Sequence, residues 1–410
     1  MEEERKIRVA ITHGDTNGVG YEVIFKAFED PTMLELCTPI IYGAPKAAAY
    51  HSKAIGLELP LNIIANAQEA QEGRINLLSV IDDEVKIDLG EGTPEGGEAA
   101  LKAIDRAIAD YQEGLFDVLV TAPVSKNAIP GFNGHTDYLE KHLADGNKGL
   151  TILMDDDLRV ALVTNNVAIK DVAEAITKQK IVEKAKTFHQ SLRRDLRVSS
   201  PRIAVLALNP RCGEDGVLGD EEQEVIRPAV DELSAVGMQV FGPYPADDFF
   251  GTGAFYRFDG VLAMYHDQGQ TPFKALAKEG GLRFTTGLNL VRTAPSHGVG
   301  FANAGRNLAD ASSMRHAVFT AIDVWRNRQN FDEPMQNPLP KLYHEKRDDS
   351  EKVRFRTPDS RQAFAPKGER QPETDTEATQ RQQEAAGGRP ERKRQPQEPA
   401  ANVTPTEAAE

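Results

Sequence analysis

From Ile7 onward the chain alternates short apolar runs with stretches of helical spacing, and that alternation leaves few folds open to it. Ile7 to Thr12, Thr38 to Tyr42, Asp117 to Thr121, Val160 to Thr164, Ile203 to Leu208 and Gly260 to Met264 read as buried strands. Between them Tyr21 to Glu29, Gly97 to Glu113, Val172 to Leu192 and Glu221 to Val236 carry helical spacing. Strands apolar on both faces need cover on both faces, so the pattern predicts an α/β protein with a largely parallel sheet flanked by helices. In such sheets ligands gather at the carboxyl ends of strands, so the residues just past each run are the first candidates for chemistry.

The pattern stops before the end of the chain. The last fifty residues hold no Leu, Ile, Met, Trp or Tyr, and too little apolar area is present to offset chain entropy. The expected organisation is a folded body over 1–344, a connecting segment over 345–356 and a disordered polar tail over 357–410. Charge follows the same division. Of the net −15, residues 345–410 supply only −1, with 14 acidic and 13 basic side chains. A body this acidic repels nucleic acid and anionic membranes, and an anionic substrate would need a local basic pocket set against that field. No apolar run approaches the ~18 residues of a membrane span, and the charged start lacks the apolar core of a secretory signal. Two distant cysteines, Cys37 and Cys212, exclude a disulfide framework and suit a reducing cytoplasm.

Four segments could carry chemistry. The first strand runs into GDTNGVG (14–20), which reads equally as an ordinary strand-to-helix turn or as an anion site; it is not the G-x-G-x-x-G of a dinucleotide loop. After the strand at Asp117 come TAPVSK (121–126) and GHTDYLE (134–140). Thr136 is placed as a helix N-cap there, with His135 beside it; by themselves these residues favour a capped turn with a surface histidine. The densest cluster is Tyr265, His266, Asp267 and Gln268 at the end of a buried strand, followed by Lys274. Such a cluster suits a metal ligand or an acid–base group. Last, a loop from Gly287 carries Arg292, His297 and Gly298 and runs on through Asn303.

Taken together, GDTNGVG, TAPVSK, GHTDYLE, LNPRCGEDG (208–216), GPYPADDFF (242–250), AMYHDQG (263–269) with Lys274, and VRTAPSHG (291–298) resemble the 4-hydroxythreonine-4-phosphate dehydrogenase family over about Ile7 to Arg328. The resemblance implies a two-lobed fold like isocitrate and isopropylmalate dehydrogenases, with a central cleft and assembly as a homodimer. It implies NAD as cofactor, bound through His297 and Gly298. It also implies oxidation of 4-phosphohydroxy-L-threonine at C3, with loss of carbon dioxide, to 3-amino-2-oxopropyl phosphate, a precursor in vitamin B6 synthesis. His135, Thr136, Lys274 and Arg292 match the substrate-holding positions; Asp247 and Lys274 are the candidate catalytic groups.

The resemblance further implies a divalent metal of zinc, magnesium or cobalt type, held by three histidines from two protomers. Only His266 matches. The other two positions hold Asn166 and Arg211; a guanidinium has no lone pair to give, and an amide oxygen is a poor ligand for zinc. Arg283 stands where the family usually has Asn, Val299 replaces a hydroxyl residue, and the loop from Lys126 to Gly134 is short. Three readings follow: the family reaction with Arg211 standing in for the metal, a dehydrogenase for another phosphorylated hydroxy acid such as a four-carbon sugar-acid phosphate, or a non-catalytic paralogue.

Overall fold

The computed structural model describes residues 5–81, 85–143, 146–277 and 280–338. The described residues lie in one compact unit. The predicted connecting segment and tail lie outside the described residues. The strands are β1 (Ile7–Thr12), β2 (Cys37–Gly43), β3 (Leu61–Ile64), β4 (Ile75–Ser79), β5 (Val118–Thr121), β6 (Leu150–Met154), β7 (Arg159–Leu162), β8 (Arg202–Leu206), β9 (Gln239–Tyr244), β10 (Gly260–Ala263), β11 (Leu282–Thr286) and β12 (Val291–Pro295). The helices are α1 (Gly20–Ala27), α2 (Met33–Leu36), α3 (Pro45–Ile55), α4 (Pro94–Gln112), α5 (His135–Leu143), α6 (Val172–Ala175), α7 (Lys178–Arg194), α8 (Arg227–Ala235), α9 (Ala246–Gly251), α10 (His266–Ala277) and α11 (Ser312–Gln336).

Among the described residues, twelve strands form a single sheet, ordered β3-β4-β2-β1-β5-β12-β11-β6-β7-β10-β8-β9. Each outer half is parallel, as the apolar runs predict. The pairs β12–β11, β11–β6 and β6–β7 at the centre are antiparallel. One sheet face is covered continuously: residues of α1, α3, α7, α8 and α11 join the inward side chains of both halves, such as Val9, Val120, Ile152 and Phe284, in one core. The other face carries two separate cores. Leu119, Ile104, Ile108 and Leu139 pack under α4 and α5, while Leu153, Val160 and Phe273 pack under α9 and α10. Between those two cores the central strands are left without a covering helix. That gap is the cleft.

Local chemistry sets most element boundaries. Thr93 caps α4 by accepting from the Gly96 N–H at 3.2 Å, with Pro94 in the first turn. Gly56, in the left-handed region at φ 69°, ends α3. Two expected helices are interrupted. Val172–Leu192 breaks at Ile176 because Thr177 turns extended and caps α7, accepting from Lys180 N at 3.2 Å. Glu221–Val236 begins with a π turn over Glu222–Ile226 before α8. A buried ion pair, Arg328 Nε to Asp195 Oδ1 at 2.7 Å, ties α11 to the end of α7, and the same guanidinium donates to the Leu288 and Asn289 carbonyls. It holds the turn that leads into β12.

Candidate functional site

Strand periodicity assembles the cleft floor. Alternate side chains share a face, and the register pairs Thr285 with Arg292 on one side and with Thr151 on the other. Thr121 projects from the end of β5 on that same face. The Arg292 Nε donates to Thr121 Oγ1 at 3.0 Å, a second guanidinium N–H donates to the same oxygen, and Nη1 donates to Thr285 Oγ1 at 3.2 Å. Arg292 is thus buried and held in one orientation before any ligand arrives. Helix α5 then lies over the floor by its first turn, through Thr136 Oγ1 to Thr151 Oγ1 at 2.9 Å and to Thr285 Oγ1 at 3.2 Å. This corrects the expected N-cap. The helix begins at His135, with Tyr138 N bonded to Gly134 O at 3.0 Å, so Thr136 sits inside the first turn and spends its hydroxyl on the sheet. His135 is no surface residue either, since its Nε2 is shut from solvent without a partner.

The enclosed space is about 170 Å³ and its wall carries Lys126, Arg283 and Arg292 against one carboxylate, Asp137. Burial, then the neighbouring Arg283, brings the Arg292 guanidinium down to about 9. Burial also lowers Arg283, whose Nε has no partner and whose Nη2 donates to Gln270 Oε1 at 3.4 Å. Burial followed by the charges of Arg292, Arg283 and Lys126 keeps His135 well below an ordinary histidine, hence neutral. Partial burial and Arg283 lower Lys126. Three cations crowded together with unused donors, at the first turn of a nine-residue helix, form a site waiting for an anion. The basic pocket that the acidic body required is present.

His297 and Gly298 line this cleft and also an adjoining cavity of about 280 Å³, walled by Val19, Leu308, Ala309, Asn303 and Asp310 among others. The His297 Nδ1–H donates to Gly298 O at 2.8 Å, which leaves Nε2 as a buried lone-pair acceptor without a partner. An apolar slot with a few polar groups and one free acceptor therefore adjoins the anion site through His297 and Gly298. The GDTNGVG turn is buried beneath, and only Val19 of it reaches this wall.

Four anticipated residues are not in the cleft wall of one chain. Lys274 is solvent-exposed on α10, one turn beyond the wall residue Gln270; His297 is lowered chiefly by burial, with the Lys274 charge the smallest contributor. Asp247 is exposed on α9. His266 opens α10, with Nδ1 3.7 Å from Asp267. Arg211 is exposed and paired with Glu214. At that position a guanidinium has no lone pair for a divalent metal, so of the three positions the resemblance assigns to one, only His266 carries an imidazole. Asn166 does line the cleft, but its Oδ1 accepts from Lys126 Nζ at 3.1 Å and its Nδ2 donates to Asn133 O at 3.1 Å. Among the described residues no group of three or more His, Cys, Asp or Glu could hold a metal.

Sequence reasoning passed over Lys126, Thr121, Thr151, Thr285 and Gln270. Thr121 and Lys126 lie in a motif already singled out. Thr151 and Thr285 read as ordinary strand formers; the available signal was a hydroxyl at a position facing inward on an otherwise apolar strand.

Comparison with known proteins identifies the family. A family described as pyridoxal phosphate biosynthetic protein PdxA matches residues 35–321. A Bacteroides thetaiotaomicron protein named 4-hydroxythreonine-4-phosphate dehydrogenase is 53% identical over 361 residues, spanning 87% of this chain and 99% of that one. A Cupriavidus necator protein named D-threonate 4-phosphate dehydrogenase is 36% identical, with 78% and 98% covered. The crystal structure of a 4-hydroxythreonine-4-phosphate dehydrogenase from Klebsiella pneumoniae is 30% identical, covering 78% of this chain and 99% of its own, with a TM-score of 0.66. With the motifs spread along the folded body and the fold reproduced, the chain belongs to the pyridoxal phosphate biosynthetic PdxA family of dehydrogenases.

Proposed function

We propose that this chain oxidises 4-phosphohydroxy-L-threonine at C3 with NAD and that the resulting β-keto acid loses carbon dioxide to give 3-amino-2-oxopropyl phosphate. One observation carries the proposal: an acidic protein concentrates Lys126, Arg283 and Arg292 around the first turn of α5, where a substrate with a phosphate and a carboxylate would meet them. Arg292, fixed by Thr121 and Thr285, anchors one anionic group without having to be ordered on binding. The N–H groups of the first α5 turn and the partner-free Arg283 Nε supply further donors. His135, kept neutral, can share a proton with a substrate oxygen without adding a fourth charge. His297 and the apolar slot hold the dinucleotide, which when bound supplies the hydride acceptor. We take the enzyme to act as a homodimer, so that Lys274, Asp247 and His266, outside the cleft of a single chain, act at the cleft of a partner.

The test is production of NADH and carbon dioxide from purified protein supplied with NAD and 4-phosphohydroxy-L-threonine, with D-threonate 4-phosphate as the comparator because a relative is named for it. Turnover of the first substrate at the higher kcat/KM supports the proposal. Preference for the second points to the related hydroxy acid. No turnover of either, with phosphate-ester binding retained, returns the chain to a ligand-binding role.

A further inference from the structure

We propose that Lys126, held by Asn166, is a catalytic residue: its ammonium takes up the negative charge that develops on the C3 oxygen, and the reaction proceeds without a divalent metal. This rests on the activity proposed above.

The pair spans the cleft. Lys126 follows β5 in one half of the sheet and Asn166 follows β7 in the other, and the two side chains meet at 3.1 Å. The tip of Lys126 also packs beside Gly134, directly before α5; a Cβ there would lie 3.8 Å from Nζ. Asn166 is spent on both ends, so its one oxygen is directed at an ammonium and not at a vacant metal position. Of the three N–H groups on Nζ, the amide uses one.

Charge counting among the cations that one chain contributes to its own cleft wall assigns the remainder. The substrate has two anionic groups, a carboxylate at C1 and a phosphate on C4. The cleft has two guanidinium groups, Arg292 buried and Arg283 half-buried, whose planar forks suit such anions. The third cation is an ammonium, a compact point charge suited to a single oxygen, and the C3 hydroxyl lies between the two anionic ends. In the first step the C3–H bond breaks, its hydride passes to the oxidised nicotinamide, the hydroxyl proton leaves to solvent in the cleft, and C3=O forms. In the second step the C1–C2 bond breaks and carbon dioxide leaves. Its electron pair forms the C2=C3 double bond with charge on the C3 oxygen, after which C2 takes up one proton. The proton released in the first step balances the one consumed in the second. Both steps place charge on the same oxygen, where a fixed positive group lowers the barrier.

The experiment uses the full-length protein and three measurements: metal content by elemental analysis, turnover with and without EDTA, and kcat and KM for Lys126→Met and Lys126→Arg. Metal well below one ion per chain, EDTA-insensitive turnover, and a kcat loss of roughly a hundredfold or more in Lys126→Met with KM within about tenfold support the proposal. Partial recovery of kcat in Lys126→Arg, at an unchanged melting temperature, separates a charge role from a structural one. Stoichiometric metal, loss of turnover in EDTA, or a Lys126→Met variant altered only in KM overturns it and leaves the family activity standing. Wild-type protein that turns over neither substrate removes the activity and this inference together.

Discussion

Substitution of Arg283 by methionine should make the ligand-free protein more stable while weakening its hold on anions. The magnitude follows from Arg292. Its guanidinium is brought down to about 9, and since arginine stays charged in practice, the fold bears on the order of 5 kcal/mol for keeping that charge. Burial is the largest cause and Arg283 the second, so Arg283 accounts for less than half, at most about 2 kcal/mol. Methionine conserves much of the buried volume. It loses one long bond, from Nη2 to Gln270 Oε1 at 3.4 Å, worth under about 1 kcal/mol. The net gain is about 1 kcal/mol, or roughly 2 °C in a protein of this size. Scanning calorimetry in phosphate-free buffer measures it. A phosphate titration of the same samples should raise the wild-type midpoint by the equivalent of ~2.7 kcal/mol at a hundredfold excess over its dissociation constant, and the variant's by less. A variant that melts lower than wild type without phosphate, or gains as much from phosphate, would refute the idea of an anion site under electrostatic load.

Other outcomes are expected. Arg292→Lys should lower kcat/KM for the phosphorylated substrate by about a hundredfold, because one ammonium cannot replace the fork held by Thr121 and Thr285; steady-state kinetics checks it. His297→Ala should raise KM for the dinucleotide while phosphate-ester binding, read by calorimetry, stays within about twofold. Stability should fall with acid. Unfolded His13 gains its proton near pH 6.5, the folded one only near about 4 because burial opposes the charge, so the unfolded state binds more protons between these values. Folding should therefore lose on the order of 3 kcal/mol from pH 6.5 to 4. Urea midpoints at pH 7 and 4.5 test this, and His13→Asn should flatten the slope. Thr177→Ala should cost about 1 kcal/mol in urea unfolding by removing the α7 cap, whereas Thr177→Ser should cost little.

Much of the fold was legible along the chain because it depends on short-range pattern. Ile7–Thr12 and Gly260–Ala263 had to be buried strands, and Gly97–Glu113 falls within α4 apart from its last residue. The errors were local too. Thr177 and Thr136 are both threonines near helix starts, and only the surroundings decide that the first caps its helix while the second bonds to Thr151 and Thr285. Of the site, His135, Arg292, His297 and Gly298 were recognisable because they sit in motifs. Lys126 gave no signal beyond its motif, since its partner Asn166 is forty residues away.

What the linear order of residues determined by itself was the layered α/β architecture, the family and the need for a basic pocket in an acidic body; hydrophobic period, turn residues and net charge are properties of neighbours along the chain. Only the tertiary structure decided where that pocket is and what it contains. The cleft exists because the helices on one sheet face pack into two cores and not one, and its contents come from registering Thr285 between Thr151 and Arg292 across three strands. Register and the burial of charge are pairings between distant segments, and no local pattern encodes them.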